Sequence, residues 1–184
     1  MKVINYSLED FQIGKASLVD DLGFIETEYS YFRKEESFYR RYNLELGLDI
    51  CILELDLKTE LELNQLAAKK KLFFTNIIER KDGTKNIITL TNQEANIAIK
   101  TDIPSSEKIR SLWFSYSERW LENKSISEYN NNEFFTNQIE KLEIPQNEEF
   151  DNLFNDVFEL ANKHPINNFL IKVKFYSILE KIMK

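Results

Sequence analysis

This chain has little of what most enzyme chemistry requires. Its 184 residues include one cysteine, one histidine, three prolines and four glycines. A single cysteine excludes an intramolecular disulfide. Its place in the apolar run Ile50, Cys51, Ile52, Leu53 predicts a buried thiol that packs like a small hydrophobe. A single histidine excludes multi-histidine metal sites. Because His164 stands directly before Pro165 at a predicted helix end, its expected partners are the last helical carbonyls, and no base is left for a serine-type triad. None of the four glycines falls in a GxGxxG, P-loop or GxSxG pattern, so nucleotide cradles and nucleophile elbows are missing. No stretch approaches the roughly 20 apolar residues of a membrane helix. The amino terminus meets Glu9 and Asp10 before any secretory apolar core can form, which predicts a cytoplasmic address. The expectation is a non-enzymatic protein without metal or cofactor.

What is present is a soluble globular composition, 42% hydrophobic and 30% charged, at a length that can bury a sizeable core. Lys and Arg number 24 against 31 Asp and Glu, a formal charge of −7, so a phosphate backbone would repel the segment as a whole. Glycines and prolines do not cluster, and Asn130 to Asn132 form only a short low-complexity run.

The period of the hydrophobic pattern divides the chain. From about residue 24 to 117 it is two. Leu53, Leu55 and Leu57 alternate with Glu54, Asp56 and Lys58, and Leu61 and Leu63 keep the same phase. Ile50 and Ile52 have the opposite phase, which predicts a β-bulge near Cys51 to Leu53. Leu72 to Glu79 reads as a strand, Asp82-Gly83 as a hairpin turn into Ile87, Ile88 and Leu90, and Ile109 to Tyr116 as an aromatic-rich strand. Lys69 to Lys71 read as a solvated turn. Short strands with tight turns favour a barrel or sandwich.

After Ser117 the period is helical. Ser115 or Ser117 can cap a helix that contains Trp120 and Leu121. Phe150, Leu153, Phe154, Val157, Phe158 and Ala161 recur at spacings of three and four, and Asn167 or Asn168 can cap a last helix. That helix is apolar nearly all round, from Phe169 to Met183, and should bury against two bodies: its own domain, and a partner subunit or a further domain. The predicted division is a β-barrel sensor domain over 1–117 and a helical dimerisation or coupling segment over 118–184. Phe169, Val173, Tyr176, Ile178 and Ile182 are the expected dimer-interface residues.

Candidate site residues are few. Glu54 and Asp56 share one strand face, which places two carboxylates together, but opposite the leucines they should point to solvent. The segment 29–42, YSYFRKEESFYRRY, interleaves aromatics with arginines, and on a strand Phe38, Arg40 and Tyr42 share a face. An arginine stacked on aromatics can still offer its fork to a carboxylate or phosphate; alternatively its stem covers the rings while its head stays wet. Phe74 and Trp113, expected in the barrel interior, complete the candidate ligand-binding set.

The order of these features, alternating strands to Ile99, then IRSLWFSYSERWLEN, then paired helices ending in LIKVKFYSILEKIM, resembles the N-terminal sensor domain of AraC-family transcription regulators. The resemblance implies an α+β fold in which an antiparallel cupin-like β-barrel or jelly roll precedes C-terminal helices. It also implies a small-molecule effector held in the barrel, a homodimer formed through the helices, and contact with DNA only through a separate domain absent from this chain. A competing expectation from the charge of −7 is a stand-alone acidic interaction protein, of inhibitor or immunity type, that covers a basic surface.

Overall fold

The computed structural model describes residues 1–7, 17–28, 31–56, 58–67, 72–82, 85–94, 98–105, 108–125, 139–145, 147–163 and 167–182. In chain order these form β1 (Lys2–Ser7), α1 (Ser17–Leu22), β2 (Ile25–Glu28), β3 (Tyr31–Lys34), β4 (Ser37–Glu45), β5 (Leu48–Asp56), β6 (Leu61–Leu66), β7 (Leu72–Asp82) and β8 (Lys85–Glu94). There follow β9 (Ile99–Ile103), β10 (Lys108–Ser117), α2 (Glu118–Ser125), β11 (Ile139–Ile144), α3 (Glu148–Ala161) and α4 (Asn168–Ile182).

One eight-stranded antiparallel sheet, in the order β11-β8-β7-β10-β5-β4-β3-β2, dominates the molecule. A second sheet of three strands has the order β1-β6-β9, with β1 parallel to β6. The fold is therefore β-rich α+β. Among the described residues no helix is long and apolar enough to cross a membrane.

The large sheet is covered on both faces, and strand parity decides which residue goes where. One face carries Phe38, Ile50, Ile52, Leu112 and Phe114, which bury against Phe154 and Phe158 of α3 and Phe175 of α4. The other carries Tyr39, Leu53, Leu55, Phe74 and Trp113, which bury against α1 and the small sheet. The phase change around Cys51 has this cause. Register runs unbroken from Leu48 to Asp56 against β10, so there is no bulge there; even residues face the helices, odd residues face the small sheet, and both are apolar because both are buried. The irregularity in the β4–β5 ladder lies instead between Asn43 and Glu45. Leu61 and Leu63 do not continue β5 either: the chain leaves the large sheet at Asp56 and starts β6 in the small one.

Several predicted details are present. Asp82 pairs with Lys85 across the β7–β8 hairpin, whose Gly83 lies outside the described residues. Ser117 Oγ accepts from Trp120 N at 3.2 Å, capping α2, and Asn167 Oδ1 caps α4; the cap of α3, Asn147 Oδ1, is not among the expected ones. The helical period after Ser117 predicts no strand there, yet β11 pairs with β8 at the sheet edge. His164, Lys69 to Lys71 and Asn130 to Asn132 lie outside the described residues.

Candidate ligand cleft between the large sheet and helix α3

Register places four side chains in a row across the helix-covered face. Phe38 of β4 pairs with Glu54 of β5, Glu54 with Arg110 of β10, and Arg110 with Glu79 of β7. Near the strand ends the apolar cover runs out, and α3 lies above this row. Helix α3 turns Phe154 and Phe158 down onto the sheet. Its residues Asn152, Asn155, Asp156 and Glu159, at helical spacing, form the facing wall together with Asn162, the residue that ends the helix. Between them is a half-open cleft of about 350 Å³ lined also by Phe38, Glu54, Arg110 and Phe158.

Charge in the cleft is arranged in pairs. The Arg110 guanidinium lies over the rings of Phe158 at 5.0 Å and Phe154 at 5.3 Å, and its Nε donates to Glu79 Oε2 at 2.5 Å. Lys108 Nζ is 3.0 Å from Glu54 Oε1, and Lys163 Nζ is 3.4 Å from Glu159 Oε2. Lys174 of α4 meets Asp156 of α3 at 2.5 Å, so the cleft wall is tied directly to the last helix. Beside the row, Asp151 has a buried Oδ1 without a hydrogen-bond partner among the described residues. Burial, and then the negative charge of Glu79, push its carboxyl above the usual range, against the lowering pull of Arg110.

Arg40 lies next to this cleft and points under the end of α3. It is 1% exposed. Its Nη1 donates to the carbonyls of Ala161 at 2.5 Å and Lys163 at 3.4 Å, and its guanidinium stacks 4.2 Å from the Tyr31 ring. Tyr31 Oη in turn donates to Asn162 Oδ1 at 2.9 Å. The arginine head is neither wet nor offered to solvent: it closes the carbonyl end of a helix, where a cation is favoured by the helix dipole. Tyr42 follows Arg40 on the same face, with burial raising its phenol.

The five expected ligand-binding residues thus fall on opposite sides of the large sheet. Phe38, Arg40 and Tyr42 are together on the helix side, and of these Phe38 lines the cleft. Phe74 and Trp113 are buried on the other side, with Trp113 stacked on Tyr6 at 6.1 Å. Leu53, Leu55, Phe74 and Trp113 fill the space between the two sheets. Of the expected interface residues on α4, Phe169 is 72% and Val173 43% exposed, Tyr176 and Ile182 pack partly against the core, and Ile178 is fully buried in it. Ile178 serves its own domain because it shares a face with Ile171 and Phe175.

Glu54 and Asp56 do not act as a pair: Glu54 enters the cleft and Asp56 is exposed. Sequence reasoning missed Arg110 and the asparagines of α3, whose only signal was their helical spacing opposite the apolar stripe, an arrangement any surface helix has. It also missed Glu45, whose carboxylate accepts from Trp120 Nε1 at 3.2 Å and Tyr176 Oη at 2.5 Å and lies 3.1 Å from Lys172 Nζ, joining β4 to α2 and α4. Among the described residues no group of three or more His, Cys, Asp or Glu side chains could hold a metal ion.

Neither a family model nor a curated protein matches the sequence. Among solved structures, ToxT from Vibrio cholerae, determined at 1.65 Å resolution, is similar to this chain with a TM-score of 0.39 and 15% sequence identity. The match covers 74% of this chain and 56% of that one, so the chain spans little more than half the length of that structure.

Proposed function

We propose that this chain is a non-catalytic ligand-sensing and dimerisation domain of an AraC-type transcription regulator, meeting DNA only through a separate domain. The observation that carries the reading is the cleft: its walls come from two bodies, the large sheet and α3, and α3 is ion-paired to α4 through Asp156–Lys174 and Glu149–Lys181. A molecule that bridges the walls favours one arrangement of sheet and helices over another by its differential affinity, which is what a sensor needs. Two sheets facing across an apolar layer are in keeping with a cupin-like jelly roll. Because that layer is filled by side chains, we place the effector in the cleft under α3 and not between the sheets.

Dimerisation is assigned to the outer side of α4, where Phe169, Leu170 and Val173 are exposed together. A thermal-shift screen of small metabolites, repeated on Asn155→Ala, tests the cleft; hits that vanish in the variant support the reading, and a screen without hits removes it. Sedimentation of the native chain and of Phe169→Ser/Val173→Ser tests the dimer, expected to dissociate in the double variant. The acidic interaction protein is favoured by the net charge of −7 alone. A chain that stays monomeric, ignores small molecules and binds basic protein surfaces would decide for it.

A further inference from the structure

Resting on the sensing role just proposed, we infer that the cleft under α3 takes a donor-rich organic cation, an amine or guanidinium compound. Its lining is rich in acceptors. Glu54, Asp156 and Glu159 contribute carboxylates that only accept, and Asn152, Asn155 and Asn162 contribute amide oxygens beside their donors. Among the described lining residues the one cationic group, Arg110, already donates its Nε to Glu79 and spreads its guanidinium over Phe154 and Phe158. A ligand that itself brought acceptors, a carboxylate or phosphate, would meet three carboxylates in the lining, where the guanidinium is already occupied and the lysines that offset the carboxylates reach in from outside it.

The existing countercharges are replaceable. Each lining carboxylate is held by a lysine from the rim: Lys108 for Glu54, Lys174 for Asp156 and Lys163 for Glu159, with those lysine side chains 55%, 32% and 66% exposed. Long side chains that are more than half exposed, as Lys108 and Lys163 are, lose little when they return to water, and the partly buried Lys174 loses more. An incoming ammonium or guanidinium can therefore take over a carboxylate while its further N–H groups reach the asparagine amides. Phe38 and Phe158, edge to face with ring centroids 6.3 Å apart, give the cleft an apolar floor against which the ligand's methylene chain can lie. Displacing Lys174 would also release one of the two ion pairs that join α3 to α4, giving the cation a route to the last helix.

The test is calorimetric titration of the native chain with 1,4-diaminobutane and with agmatine, against 1,4-butanediol and succinate as neutral and anionic probes of similar length. The two cations are expected to bind, with Glu54→Gln and Asp156→Asn each weakening them about two- to fivefold, the loss typical of one solvent-exposed ion pair. Asp102→Asn, which removes a carboxylate from the small sheet, is expected to change nothing. Binding that falls equally in Asp102→Asn, or that ignores Asp156→Asn, would mean general attraction to an acidic protein and overturn the inference. Succinate or butanediol binding more tightly than the amines, with the loss in Asn155→Ala, would overturn the cation class while the sensing role stood. Silence of all four probes overturns the cation class as well; silence across the metabolite screen in addition removes the sensing role.

Discussion

Replacing Arg40 with methionine separates a structural arginine from a ligand-binding one. The native side chain is 1% exposed and donates through Nη1 to Ala161 O at 2.5 Å and Lys163 O at 3.4 Å. Losing one charge-assisted hydrogen bond to a buried carbonyl costs about 1.5–3 kcal/mol, and losing the stack on Tyr31 about 0.5–2 kcal/mol. Against this, Arg40 Nε and Nη2 have no hydrogen-bond partner among the described residues, and the nearest carboxylate to Nη2 among them is Glu28 at 3.8 Å, so the native state already carries a desolvation cost that an apolar chain of similar length removes. The net expectation for Arg40→Met is a loss of about 1–2 kcal/mol, and for Arg40→Ala, which also leaves a cavity, about 3–5 kcal/mol. Urea denaturation reads the total. Amide exchange in the last turn of α3 reads its location, because Arg40 holds the carbonyls there. Agmatine affinity in the cleft should be unchanged in the methionine variant. An Arg40→Met protein as stable as the native chain, or more so, would refute the reasoning, showing that the partnerless nitrogens outweigh the helix contact.

Three further outcomes follow from the packing. Gly47 has a φ of +86°, and an added Cβ would come within 2.4 Å of Ser117 Oγ, the α2 cap, and 3.2 Å of Trp120 Cβ. Gly47→Ala should therefore cost about 2–4 kcal/mol by chemical denaturation, from left-handed strain and a displaced cap together. Burial pushes the Cys51 thiol up to about 12, so a thiol reagent at pH 8 should label it only in denaturant, and rapid labelling of the folded chain would contradict the burial. The Asp151 carboxyl is raised on folding, so the folded state holds its proton more tightly; its contribution to stability is present below the unfolded value of 3.8 and falls away as pH rises above it. Asp151→Asn should accordingly compare better with the native chain at pH 6 than at pH 3, whatever its offset from the helix dipole; a difference independent of pH would refute this.

How much of the fold was legible depended on whether the signal was local. Caps such as Ser117 and Asn167 are readable because their hydrogen bonds reach only three residues along the chain. The strand Ile109 to Tyr116 and the helix through Phe154 and Phe158 are readable because their periods differ. Ile50 and Leu53 misled for the opposite reason: a strand buried on both faces loses its alternation, and the apparent slip in phase imitates a bulge. The site was less legible still. Glu54 comes to Arg110 only through strand pairing, and the α3 asparagines come to both only because Phe154 and Phe158 turn the helix onto that part of the sheet.

Residue order alone therefore settled that helices begin after Ser117, though not that β11 follows the first of them, and that Cys51 is buried, since periods and short-range caps need no distant partner. Tertiary structure decided the rest. It sent Phe74 and Trp113 to one side of the sheet and Arg40 to the other, turned Arg40 from a possible ligand contact into the closure of α3, and assembled the cleft from residues more than a hundred positions apart. Which face of a strand is covered, and by what, is a property of the layers packed on it, and no pattern within the strand records that.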